Sequence, residues 1–146
     1  MTVYLETSFL VSLYSVDANS AAAIAAMRSV AAPFPLTSFC ELEVTNALQL
    51  RVFRREITPS EAKLSLADLA ADLRSGVFHS VPTPASVYEE ALRLARRHTA
   101  VIGTRPLDIL HVAAAITLGV RTLYTFDRRQ AQLARAAGLK TPIRVP

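Results

Sequence analysis

Four of the twelve acidic residues, Glu6, Glu43, Asp108 and Asp127, stand apart by position rather than number. Glu6 closes the strand-like run Thr2-Val-Tyr-Leu, and Asp127 follows a second such run, Arg121-Thr-Leu-Tyr-Thr-Phe126. Glu43 interrupts the stripe formed by Phe39, Leu42, Asn46, Leu50 and Phe53 when residues are placed at ~100° intervals around a helix. Glu41, two residues earlier, is turned away as an ordinary surface charge. Asp108 enters the most hydrophobic helical stretch of the chain just after Arg105-Pro106, where free N–H groups and the helix dipole favour an anion.

Each acid taken singly has a plain alternative. Glu6 can be an exposed strand end, Glu43 half of a buried ion pair with an arginine, and Asp108 a stabiliser of its helix's first turn. Asp127 heads Asp-Arg-Arg-Gln130, a capping pattern in itself. Together they say more. Four carboxylates meeting at one mouth of a sheet repel each other unless some keep a proton or a divalent cation compensates them. An all-oxygen donor set selects a hard ion, Mg²⁺ or Mn²⁺. Such a centre activates water and neutralises phosphate oxygens, which is the chemistry of phosphodiester hydrolysis.

The elements that must position these acids alternate in type. A strand over 2–6 leads, through a Thr7-Ser8 cap, to a helix over 9–14, and Asn19-Ser20 opens a second helix through residue 31. Pro33 and Pro35 flank an extended piece over 34–37. A long amphipathic helix over 38–54 follows, then Thr58-Pro-Ser-Glu61, a capping box with proline at the first turn, opening a helix to residue 74. A strand over 77–81, a helix from Thr83-Pro84 to residue 97 and an apolar helix over 106–118 come next. After the strand over 121–126, the last helix closes at Gly138, and 141–145 offers an edge strand. Alternating strands and helices predict a parallel sheet covered on both faces, with the site at the carboxyl ends of the strands.

All of this fits a single domain over 1–146, with 51% apolar and 19% charged residues. No apolar run reaches the ~18 residues a membrane helix needs, and no basic lead precedes Glu6, so neither a span nor an export signal is expected. The single Cys40 excludes an internal disulfide and suits a reducing cytoplasm. The formal charge is +4, with fourteen arginines and two lysines, compatible with a polyanionic partner. None of the four glycines belongs to a G-x-G-x-x-G or P-loop pattern, which removes the sequence support for a nucleotide-cofactor enzyme. His111 shares a helix face with Asp108 but is surrounded by apolar residues, which predicts a histidine held in the packed interior.

Four segments in order, Tyr4-Leu-Glu-Thr-Ser8, Glu43-Val-Thr-Asn-Ala-Leu48, Leu107-Asp-Ile-Leu-His-Val-Ala113 and Thr125-Phe-Asp-Arg-Arg-Gln130, resemble the PIN-domain ribonucleases, in particular the VapC-type toxins of toxin–antitoxin pairs. The resemblance spans nearly the whole chain. It implies a three-layer α/β/α fold, a Mg²⁺- or Mn²⁺-dependent endoribonuclease, homodimerisation and inhibition by a small antitoxin protein. It also implies that Glu6, Glu43, Asp108 and Asp127 are the catalytic and metal-holding acids, with Ser8, Asn46 and Thr125 as polar support. Arg105, Arg128 and Arg129 are nearest in sequence to these acids and are the candidates for gripping RNA. Where the family usually has aspartate, this chain has Glu6, whose extra methylene is expected to push the carboxylate further into the cleft. That departure supports a second reading, a PIN-like protein that binds RNA or a partner without cutting.

Overall fold

The computed structural model describes residues 2–145. In chain order the elements are β1 (Val3–Leu5), α1 (Thr7–Tyr14), α2 (Ser20–Met27), β2 (Phe34–Thr37), α3 (Ser38–Phe53) and α4 (Pro59–Arg74). They continue with β3 (Phe78–Val81), α5 (Ala85–Ile102), α6 (Pro106–Thr117), β4 (Thr122–Tyr124) and α7 (Arg128–Ala136). β1 pairs with β4 and β2 with β3, both in parallel, and β1 runs beside β2. The expected parallel sheet is built as two hydrogen-bonded pairs set side by side. These strands are only three or four residues long, and the seam between β1 and β2 carries a side-chain bond, Tyr4 Oη to Thr37 Oγ1 at 3.2 Å.

Side-chain alternation along the strands builds the three layers. Val3, Leu5 and Tyr124 join one core with Phe9, Leu10, Leu48 and Phe78, while Tyr4 and Leu123 point into the other with Leu94, Val112 and Leu133. Both faces of β1, β2 and β4 are thus buried under helices, as parallel sheets require, while β3 at the edge keeps only Phe78 fully buried. Among the described residues no helix is long and apolar enough to cross a membrane.

Local chemistry moved several boundaries. α1 begins at Thr7, because Glu6 itself is the N-cap and its Oε1 accepts from Phe9 N–H at 3.2 Å. α2 stops at Met27 rather than residue 31. Arg28, Ser29 and Val30 turn to three-residue bonds on Ala25, Ala26 and Met27, and the Ser29 hydroxyl also bonds the Ala26 carbonyl. α5 runs five residues beyond its expected end and stops where Gly103 takes φ 73°. The edge strand expected over 141–145 does not form. Lys140 makes a single bridge to Thr122, and Pro142 then lacks the N–H that would extend it.

The largest correction concerns α3. Its core-facing residues are Cys40, Val44 and Leu48, whereas Leu42 and Phe53 are 68% and 83% exposed and Asn46 is exposed too. The helix carries two apolar stripes, and hydrophobicity alone favoured the bulkier one. The smaller Cys40 and Val44 fit beneath α1, where larger side chains would not close-pack.

Candidate active site

Glu6 and Asp127 lie just beyond the carboxyl ends of the paired strands β1 and β4, Asp108 lies in the first turn of α6, and Glu43 in the second turn of α3. All four line one open cleft of about 690 Å³. Residues up to 121 positions apart are brought together by four different elements. The site is where parallel sheets place it, because the strand ends turn into helix N-termini there.

Glu6 is buried at 3% exposure, so it is no solvent-exposed strand end, and although it lines the cleft its carboxylate caps α1. The longer side chain folds back. Its Oε1 accepts from Phe9 N–H and from the Ser8 hydroxyl. Burial pushes this carboxyl above the usual carboxylate range, against the opposing pull of His111 and the hydrogen bonds of Ser8, Thr125 and Phe9 N–H. Ser8 also accepts from Phe126 N–H at 2.9 Å and lies 3.4 Å from the Thr125 hydroxyl, which in turn accepts from Asp127 N–H at 2.9 Å. Ser8 and Thr125 thereby stitch the β1 and β4 ends together.

Glu43 is paired with a histidine rather than an arginine. His111 Nε2 contacts its Oε2 closely, and Thr7 Oγ1 donates to the same oxygen at 2.9 Å. Burial alone would raise the Glu43 carboxyl. The hydrogen bond and electrostatic pull of His111, with Thr7 and Arg105, outweigh it and hold the group below the ordinary carboxylate range. His111 is buried, as its apolar neighbours predict, yet its ring also lines the cleft. The signal was its place three residues after Asp108 on a helix otherwise almost wholly apolar, since a buried polar group needs a partner. Thr7 and Tyr4, also bonded to that ring, gave no such signal.

Asp108 and Asp127 share one cation. Arg105 Nε donates to Asp108 Oδ2 at 3.1 Å, and Arg105 Nη2 stands 3.7 Å from Asp127 Oδ2. Asp127 doubles as the N-cap of α7, its Oδ1 accepting from Gln130 N–H at 2.7 Å. Asn46 is exposed and is not among the lining residues; Ala47, one position on, turns into the cleft instead. Of the three arginines nearest in sequence, Arg105 lines the cleft, Arg129 donates to the Gly103 carbonyl at 3.3 Å, and Arg128 lines a separate groove beside Arg135 and Arg144. Arg51 and Arg54 also line the cleft, with Arg51 tied to Ser15, Val16 and Glu56.

The donor set fits a hard divalent cation: four carboxylates, no thiolate on the cleft wall, and the one imidazole committed to Glu43. Among the described residues no three His, Cys, Asp or Glu side chains stand close enough to enclose an ion unaided. Magnesium does not require that, because it keeps several waters and takes one or two carboxylates plus substrate phosphates.

A PIN-domain model matches residues 3–136 of this sequence. The chain belongs to the PIN-domain family. Its fold also matches solved structures over nearly its whole length. Against the Mycobacterium tuberculosis toxin VapC20, described as cleaving the sarcin-ricin loop, the TM-score is 0.71 at 20% identity, covering 95% of this chain and 98% of that one. Against FitAcB of Neisseria gonorrhoeae the TM-score is 0.67 at 16% identity, with 95% of each chain covered. A Pyrobaculum aerophilum protein gives 0.64 at 18% identity, over 97% of this chain and 83% of its own. No curated protein matches this PIN domain in sequence. The three-layer α/β/α architecture is that of the PIN fold.

Proposed function

We propose that this PIN domain is a Mg²⁺- or Mn²⁺-dependent endoribonuclease, the VapC-type toxin of a toxin–antitoxin pair, acting in the cytoplasm as a homodimer. The observation that supports it most is the arrival of Glu6, Glu43, Asp108 and Asp127 on one cleft in a chain of this family. When bound, the divalent ion supplies charge neutralisation at phosphate oxygens and a more acidic water. The chain's own groups do the rest. Asp108, oriented by Arg105, would align the attacking water with the scissile phosphorus and accept its proton as the P–O3′ bond breaks, leaving a 5′-phosphate on one fragment and a 3′-hydroxyl, protonated from solvent, on the other. Arg54 and Arg105, both on the cleft wall, hold backbone phosphates. A small antitoxin protein closes the cleft, a reading that rests on family membership and the likeness to VapC20.

The test is an RNA cleavage assay with purified protein. Cleavage is expected with Mg²⁺ or Mn²⁺ and is expected to vanish with EDTA; EDTA-insensitive cutting would count against the centre. Arg105→Gln is expected to tighten Mn²⁺ binding by up to about fivefold in titration calorimetry. The guanidinium competes for Asp108 and Asp127, but its side chain is 70% exposed, so the pairing is worth at most about 1 kcal/mol. Weaker Mn²⁺ binding by this variant would contradict that competition.

One observation favours the second reading, RNA or partner binding without cleavage: the Glu6 carboxyl is already engaged in capping α1. Glu6→Asp separates the two. A nuclease hampered by the longer side chain cuts equally fast or faster with aspartate, whereas a binding protein gains no activity.

A further inference from the structure

The side chains behind Glu43 form a hydrogen-bonded chain with a definite direction. Cys40 N–H donates to Thr37 Oγ1 at 3.3 Å, Thr37 Oγ1 lies 3.2 Å from Tyr4 Oη, and Tyr4 Oη lies 3.0 Å from His111 Nδ1. His111 Nε2 then meets Glu43 Oε2. An ionised carboxylate only accepts, so the proton between this last pair sits on Nε2. Whenever the ring carries that proton alone, Nδ1 accepts, Tyr4 donates to it and Thr37 donates to Tyr4, while Thr7 Oγ1, 3.1 Å from Nε2, has its own proton directed to Glu43 Oε2. Every donor and acceptor along this path is matched. The reverse order would set a bare Nε2 lone pair against the Glu43 oxygen.

Behind the ring, away from its Glu43 end on the cleft, the path is closed to solvent: Tyr4, Thr37 and His111 are each at most 1% exposed, and the His111 and Phe39 ring centroids lie 4.8 Å apart. Water cannot substitute for a missing link there, so each bond constrains the next. The links join residues of β2, β1, α6 and α3.

We infer that His111 is the positioning residue for Glu43, and that the Thr37–Tyr4 hydroxyl pair holds its ring in the one tautomer that points a proton at that carboxylate. The proposal rests on the reading of Glu43 as part of the nuclease centre. An outer partner of this kind typically changes metal affinity by 10–100-fold when lost.

The test uses the whole chain with ¹⁵N-labelled histidine. In the metal-free wild type, at a pH where the ring holds a single proton, NMR is expected to place that proton on Nε2. Tyr4→Phe deletes one hydroxyl and leaves the packing, and it is expected to give a tautomer mixture and to weaken Mn²⁺ binding about tenfold by calorimetry. Thr37→Val, one bond farther, is expected to move both readouts in the same direction by less. His111→Gln, which can still donate to Glu43, should bind Mn²⁺ more tightly than His111→Leu. A His111 proton on Nδ1, or unchanged tautomer and affinity in Tyr4→Phe, overturns the relay while leaving the nuclease reading intact. Wild-type protein that binds Mn²⁺ and shows the relay but cuts no RNA overturns the nuclease reading instead. Absence of Mn²⁺ binding by the wild type overturns both.

Discussion

Asp108→Asn is expected to lower RNA cleavage by roughly 10²–10⁴-fold, the range lost when a positioned acid–base group is removed. The substitution keeps shape and volume but removes the charge, so the side chain can neither hold a divalent ion as firmly nor accept the water's proton. Stability should hardly change. Asp108's partner Arg105 is largely exposed, and such a pairing contributes at most about 1 kcal/mol. Cleavage rates on a labelled RNA in Mg²⁺ or Mn²⁺, with a thermal melt as the folding control, measure both effects. Equal cutting by the Asn variant would remove Asp108 from the centre.

Glu6→Gln should separate function from stability. Cleavage is expected to fall on the order of a hundredfold, at least matching the 10–100-fold cost of losing even an outer partner of a metal site. The metal-free fold should nevertheless become more stable. Burial raises the Glu6 carboxyl above its ordinary range, so the native state takes up a proton more readily than the unfolded chain. Stability from such a group is fully present below the unfolded value, about 4.3, and is lost as pH rises through the raised native value. Glutamine has no charge to bury and can still accept from Phe9 N–H. Its melting temperature should therefore exceed the wild type's, by about 2–4 °C for each kcal/mol recovered, with a gap that widens from pH 5 to pH 8. Added Mg²⁺ should narrow the gap by stabilising the wild type through binding. A wild type that melts higher than Glu6→Gln at pH 8 without metal would refute the burial argument.

Both variants concern residues that were readable without coordinates, and for the same reason. Glu6, Asp108 and Asp127 sit at boundaries that local chemistry defines: a strand ending in an acid, a helix opening after Arg105-Pro106, and a capping sequence. The capping box at Thr58 and the Gly103 stop obey equally local rules, although α5 reached that glycine later than its periodicity indicated.

Glu43 was found from a helical phase that proved wrong. The buried face of α3 runs through Cys40, Val44 and Leu48, and Glu43 stands at its border, where the cleft begins. Which of two apolar stripes faces inward depends on what packs beneath it, and that is settled by α1 and β1, not by α3. The fate of Glu6's extra methylene was equally non-local, because Ser8, Thr125 and the Phe9 N–H had to gather around it before the carboxylate could fold back.

By itself the sequence determined the alternation of strands and helices, the parallel layer they imply and the acids at the strand and helix ends, because periodicity, capping and turn preferences act over a few residues. Only the tertiary structure decided that His111 reaches Glu43, that Arg105 bridges Asp108 and Asp127, and that Asn46 stays outside. Those outcomes depend on distances between elements far apart in the chain, which no spacing along it encodes.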